Sequence, residues 1–121
     1  MKRIAWRDVP ESPLPAENGG SVLRRFVGSE RMTVARVTFA AGSVLPVHRH
    51  PNEQFSVVLE GALEFVIGGQ TVVAHVGDVV HLASNETHGA RALQDSVVLD
   101  VFSPPRDDWG APDEPERVEQ T

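Results

Sequence analysis

Cysteine is absent from the 121 residues. A thiol nucleophile, a Cys-based metal site and a dithiol redox motif are thereby excluded. The same absence fits a reducing compartment, and the chain is expected to be cytoplasmic. Long apolar runs are missing too: none approaches the ~20 residues needed to span a bilayer. The N-terminal MKRIAWRDVPESPLP lacks the apolar centre of a secretory signal, so neither export nor a membrane partner is expected. Net charge is −6 and no basic cluster exceeds a pair such as Arg24-Arg25, which argues against a nucleic-acid partner. A sustained helical period is also lacking.

What is present is a chain of one-domain length, large enough to bury roughly 65% of its unfolded surface without disulfides. Short β-prone segments recur with turn residues between them. Val22 to Val27, Arg31 to Ala40, Gln54 to Glu60, Ala62 to Ile67, Gln70 to Val76, Val79 to Leu82, Thr87 to Leu93 and Ser96 to Phe102 all read as strands. Gly68-Gly69, Gly77-Asp78 and Ser84-Asn85 read as turns. This is the pattern of an all-β sandwich or barrel. Residues 1–20, rich in proline, glycine and charge, read as an arm that packs on a sheet edge or exchanges with a second subunit. Residues 21–103 form the domain. Residues 104–121 are a tail, expected to be disordered from about 110 because of its prolines and acids.

The chemistry concentrates in GSVLPVHRHPNEQFSVVLEG, Gly42 to Gly61. Residues i and i+2 of an extended chain face one side, so His48 and His50 aim two imidazoles at one point. Gln54 shares their parity if the Pro51-Asn52 bend keeps the alternation. His88, far downstream, can complete the set. Imidazoles with one side-chain oxygen suit a divalent transition metal ion such as Ni, Mn, Fe or Zn. Glu53 is the alternative oxygen donor, with the wrong parity. His75 and His81 read as exposed or wall histidines. In the last strand Asp100 shares a face with Val98 and Phe102. A carboxylate there either pairs with an arginine such as Arg36 or Arg91, or lines the site and moves a proton with a raised pKa. Phe102 then offers an apolar platform and Arg106 a fork for a substrate carboxylate.

Two stretches together resemble the cupin superfamily. Gly42, His48, His50, position 54 and Gly61 match the first cupin motif in spacing, with Gln54 where the family usually has Glu. Gly77 and His88 match the second motif, GDVVHLASNETHGARA, in which Ala83, Asn85 and Ala92 replace the usual Pro, Gly and Asn. The resemblance covers roughly residues 20 to 103. It implies a double-stranded β-helix (jelly-roll) barrel with a metal held by His48, His50, Gln54 and His88, and a homodimer. The runs HPNEQ, GALEFVIGG and DVFSPPRDDW are similar to the KdgF-type group of small cupins, with Asn52 in place of a common histidine. That group converts 4,5-unsaturated monouronates to linear keto forms, and its Asp-x-Phe-x-x-x-Arg set is reproduced in spacing by Asp100, Phe102 and Arg106. The resemblance implies a metal-dependent isomerase or lyase-like enzyme acting on a small, oxygen-rich anion. Other cupins of similar style are dioxygenases, polyketide-cyclase-like enzymes, or metal- or sugar-binding modules without activity.

Overall fold

The computed structural model describes residues 1–109, so the expected disorder of the last residues lies outside the described part. Ten strands form two antiparallel sheets. They are β1 (Ser12–Pro13), β2 (Val22–Gly28), β3 (Thr33–Phe39), β4 (Val44–His48), β5 (Glu53–Glu60), β6 (Ala62–Ile67), β7 (Gln70–His75), β8 (Val79–Leu82), β9 (His88–Ala92) and β10 (Ser96–Ser103). One sheet runs β1-β2-β3-β10-β5-β8 and the other β4-β9-β6-β7. This is the jelly-roll barrel that the motif spacing implies.

Alternation decides which side chains face inward. In β3, Thr33, Ala35, Val37 and Phe39 are buried while the residues between them are not. Register carries that face across the sheet: Val37 lies opposite Val98, and Val98 opposite Val58. Val22, Leu63, Leu82 and Phe102 are almost wholly buried in the same core. Each large apolar side chain so placed contributes about 1.5–3 kcal/mol. One step toward the open end, the same face turns polar, with Asp100 opposite Ser56 and Phe102 opposite Gln54. The core thus grades into the site along single strands.

Glycine is required where backbone crowds backbone. Gly61 has φ 81°, and a Cβ there would collide with the Asp95 carbonyl and the Ser96 hydroxyl. At Gly89 a Cβ would meet the Leu45 carbonyl at 3.0 Å, so the glycine lets β4 close on β9 beside His88. Asn85 sits at φ 61°, the left-handed backbone that its replacement of a motif glycine requires.

The arm contains β1, which pairs with β2 through Ser12 opposite Arg24. The start of the tail is tied down: residues Asp107–Trp109 form a 3-10 turn, and Trp109 packs against the core.

Candidate metal centre and active site

His48 and His88 are cross-strand partners on β4 and β9, their ring centroids 4.4 Å apart. His50 does not share the strand of His48, as the sequence reading expected. β4 ends at His48, and His50 lies in the segment that crosses to the other sheet. It still turns inward, 4.8 Å from the His88 ring and 5.6 Å from the His48 ring. Gln54 reaches the site for a different reason than shared parity: it stands on β5, in the facing sheet. Its neighbour Glu53 points outward and is held by His81, at 2.6 Å. Glu53 is therefore turned away from the histidines. His75 is exposed and lies near Asp78.

Each of the three histidines is oriented by a backbone carbonyl two residues away. The Nδ1 of His48 bonds Pro46 at 2.7 Å, that of His50 bonds Asn52 at 3.0 Å, and that of His88 bonds Glu86 at 2.8 Å. A carbonyl only accepts, so every Nδ1 carries the hydrogen and every neutral ring leaves a lone pair on Nε2. Such outer partners are what fixes histidine ligands in metal sites. One ligating nitrogen from each ring lies within 4.8 Å of the others.

Two observations test whether these residues fit a metal. The His88 Nε2 is buried with no hydrogen-bond partner among the described residues. An orphaned polar atom of that kind costs about 1–3 kcal/mol, and a cation relieves it. Between His50 and Gln54, Nε2 and Oε1 face each other at 3.1 Å. With the Nδ1 hydrogen committed to Asn52, both atoms are lone-pair donors, and an ion between them turns a repulsion into a shared bond. The set is uncharged, three imidazoles and an amide oxygen. Burial above all, and Arg106 next, holds the His50 pKa below its ordinary value. Burial likewise pushes His88 down to about 4. Both rings are therefore free of a competing proton at neutral pH. The residues present fit a divalent transition ion.

Behind Gln54 runs a hydrogen-bond chain. The Gln54 amide donates to Ser56 Oγ at 2.9 Å, and Ser56 donates to Asp100 Oδ1 at 2.6 Å. The chain fixes the Gln54 oxygen toward the histidines. Asp100 pairs with neither Arg36 nor Arg91, and Arg91 meets Glu64 instead. Burial pushes the Asp100 carboxyl up to about 6, against the lowering effect of Ser56, Gln54 and Arg106.

Phe102 lies 5.7 Å from the His50 ring and is almost wholly buried. Arg106 is nearly buried too, and it is already engaged. Its Nε and Nη2 donate to the two oxygens of Asp108 at 2.9 and 2.7 Å. The fork expected to hold a substrate is filled by the chain's own carboxylate. Asn52 is another participant that sequence reasoning did not place. Its side-chain amide donates to the Pro104 and Pro105 carbonyls, tying the His50 loop to the turn that carries Arg106. Arg24, Ser56, Asp108 and Trp109 were also missed, although the inward parity of Ser56 with Gln54 was a readable signal. These four residues, with His48, His88, Gln54, Asp100, Phe102 and Arg106, border one cavity of about 430 Å³, within the range of small-molecule sites.

Comparison with known proteins accords with this geometry. A family model described as "Cupin domain" matches residues 35–102. The pectin degradation protein KdgF of Dickeya dadantii is 33% identical over 96 residues, covering 77% of this chain and 87% of that protein. The structure of KdgF from Halomonas sp. is 33% identical, covers 73% of this chain and 83% of its own, and superposes with a TM-score of 0.70. An RmlC-like cupin from Shewanella frigidimarina covers 90% of this chain and 96% of its own at 23% identity and a TM-score of 0.78, a likeness of fold. By motif, barrel and kinship alike, the chain belongs to the cupin family, as a relative of KdgF.

Proposed function

We propose that this cupin uses a divalent metal ion to open a 4,5-unsaturated monouronate and tautomerise it to the linear keto form. One observation carries the reading: two members of a three-histidine cluster, His48 and His88, and a buried carboxyl, Asp100, line one small-molecule cavity, with Gln54 and Ser56 linking Asp100 to His50. Kinship to the pectin degradation protein KdgF supports a sugar-acid substrate.

The reaction is an isomerisation, so atoms balance without a co-reactant. The anomeric hydroxyl gives up its proton, the bond from C1 to the ring oxygen breaks, and an aldehyde and an enolate remain. The abstracted proton is then delivered to C4 as the enolate becomes a ketone. His48, His50, Gln54 and His88 would hold the metal ion, which would supply Lewis-acid polarisation of the substrate's oxygens. Asp100 is the group that moves the proton. With a pKa of about 6 it is mostly ionised at neutral pH, yet not so acidic that reprotonation is difficult. Phe102 forms an apolar wall for the carbon skeleton. The neutral Gln54 in place of a carboxylate leaves the ion's charge undiminished, which favours polarisation over redox cycling.

Two copies of the chain are read as pairing through the outer face of β5 and β8. Phe55, Leu59 and Val79 are exposed there, and β8 is a sheet edge.

The test follows the double-bond absorbance of unsaturated galacturonate with metal-loaded protein. Loss well above the no-protein rate is expected, with a fall of about a hundredfold or more in Asp100→Asn. A rate equal to the control contradicts the reading. Oxygen uptake with a phenolic or diketone substrate would favour a dioxygenase instead.

A further inference from the structure

The far end of the cavity holds a guanidinium that the sequence reading passed over. Arg24 lies on the inward face of β2, opposite Val37, and borders the cavity with Leu14 and Pro15. Its guanidinium carbon stands 4.4 Å from the centre of the Trp109 ring and 5.3 Å from that of Phe26. The Nε donates to Ser12 Oγ at 3.1 Å. Among the described residues no carboxylate is within ion-pair distance of Arg24. Arg106 stands in contrast. It packs on the same Trp109, 4.3 Å from the ring centre, and on Phe102, but its planar fork is closed by Asp108.

The charges do not balance in this cavity. Asp108 neutralises Arg106. Asp100 belongs to the Gln54 end and is occupied by Ser56. Arg24 is left half-buried with no carboxylate paired to it among the described residues, beside a second guanidinium and on a chain of net charge −6. Burial above all, and Arg106 next, disfavour its positive charge against the smaller favourable effect of Asp108, and a bound anion offsets both. The stack on Trp109 and the bond donated to Ser12 leave it few orientations, so little freedom is lost on binding.

Resting on the uronate reading for the class of substrate, we propose that Arg24, stacked on Trp109, binds the carboxylate of a sugar acid, while the Arg106–Asp108 pair is a fixed wall that holds Trp109 in place. The arm then has a purpose: β1 supplies Ser12, which aims Arg24. The substrate lies with its carboxylate toward Arg24 and its reacting oxygens toward the histidines.

The experiment measures binding of galacturonate, which lacks the reactive double bond, and of uncharged galactose by calorimetry to metal-loaded and metal-free protein. The wild-type chain is expected to prefer galacturonate. Arg24→Met is expected to lose about tenfold to a hundredfold of that preference with or without metal, and Arg24→Lys to recover part of it. With unsaturated galacturonate, Arg24→Met is expected to raise KM far more than it lowers kcat, a split that a merely structural arginine does not give. Trp109 fluorescence should respond to galacturonate in the wild-type chain and not in Arg24→Met. Equal galacturonate preference in wild type and Arg24→Met overturns the inference, as does a wild-type chain without preference. So does Asp108→Asn strengthening galacturonate binding while Arg24→Met leaves it unchanged, since Arg106 would then be the fork. Arg24-dependent binding without turnover leaves this inference standing and sinks the isomerase. Turnover indifferent to Arg24 does the reverse.

Discussion

At the scale of single residues, Asp100 is the group whose environment sets its chemistry most clearly. Its place inside the barrel followed from strand parity with Val98 and Phe102. Its partner did not, because Ser56 meets it only through the register of β10 with β5. Facing it are Ser56, Gln54 and Arg106, and burial outweighs all three. A carboxyl raised from 3.8 to about 6 binds its proton more tightly in the folded chain than in the unfolded one. Its contribution to stability is therefore full below about pH 4 and is lost as pH rises through 6. Asparagine cannot titrate. In metal-free protein, Asp100→Asn should gain stability relative to wild type between pH 4 and 7, by at most about 3 kcal/mol, as measured by urea unfolding. Parallel pH profiles for the two would contradict the buried carboxyl. Arg106 teaches the opposite lesson about legibility. Its spacing from Asp100 and Phe102 was readable, but its capture by Asp108 two residues away was not. An exposed acid near an arginine in sequence is too common a pattern to signal a bidentate lock.

At the scale of elements, strands and turns were legible because alternation and glycine are local signals. Ala62–Ile67 and Val79–Leu82 match the strands read from sequence, the other segments read as strands differ only at their ends, and β1 and β4 had no counterpart with bounds of its own. The site's own strand was the exception. His48, His50 and Gln54 read as one alternating run, yet they come from the end of β4, a crossing segment and the start of β5 in the facing sheet. Parity named residues that do meet in space, but for the wrong geometric reason, since the chain changes sheets at Pro51-Asn52 instead of preserving a strand. The outer face of β5 and β8 is an element-scale feature as well. Phe55 and Val79 are 47% and 58% exposed on strands whose inner residues are core. If two copies bury this face, Phe55→Asp should convert a dimer to a monomer in light scattering while leaving the fold intact. A monomeric wild-type chain at micromolar concentration would contradict that pairing.

For the whole molecule, the barrel is a device for bringing distant histidines together around a cavity closed on one side by core. The paired motif spacings made that legible, because the jelly roll folds two far segments onto adjacent strands. The Arg24 side of the cavity was not legible, since it depends on an arm, a terminal turn and an aromatic stack meeting in space. No helix among the described residues is long and apolar enough to cross a membrane. The claim that unites the molecule is that the ion held by these histidines is what lets Asp100 open a sugar acid. The most direct test titrates a divalent ion into metal-free protein while following loss of the double-bond absorbance of unsaturated galacturonate. The rate should rise in proportion to bound metal and level off at about one ion per chain, as a single mononuclear site requires. Full activity in the metal-free protein, or no activity at full loading, would contradict it.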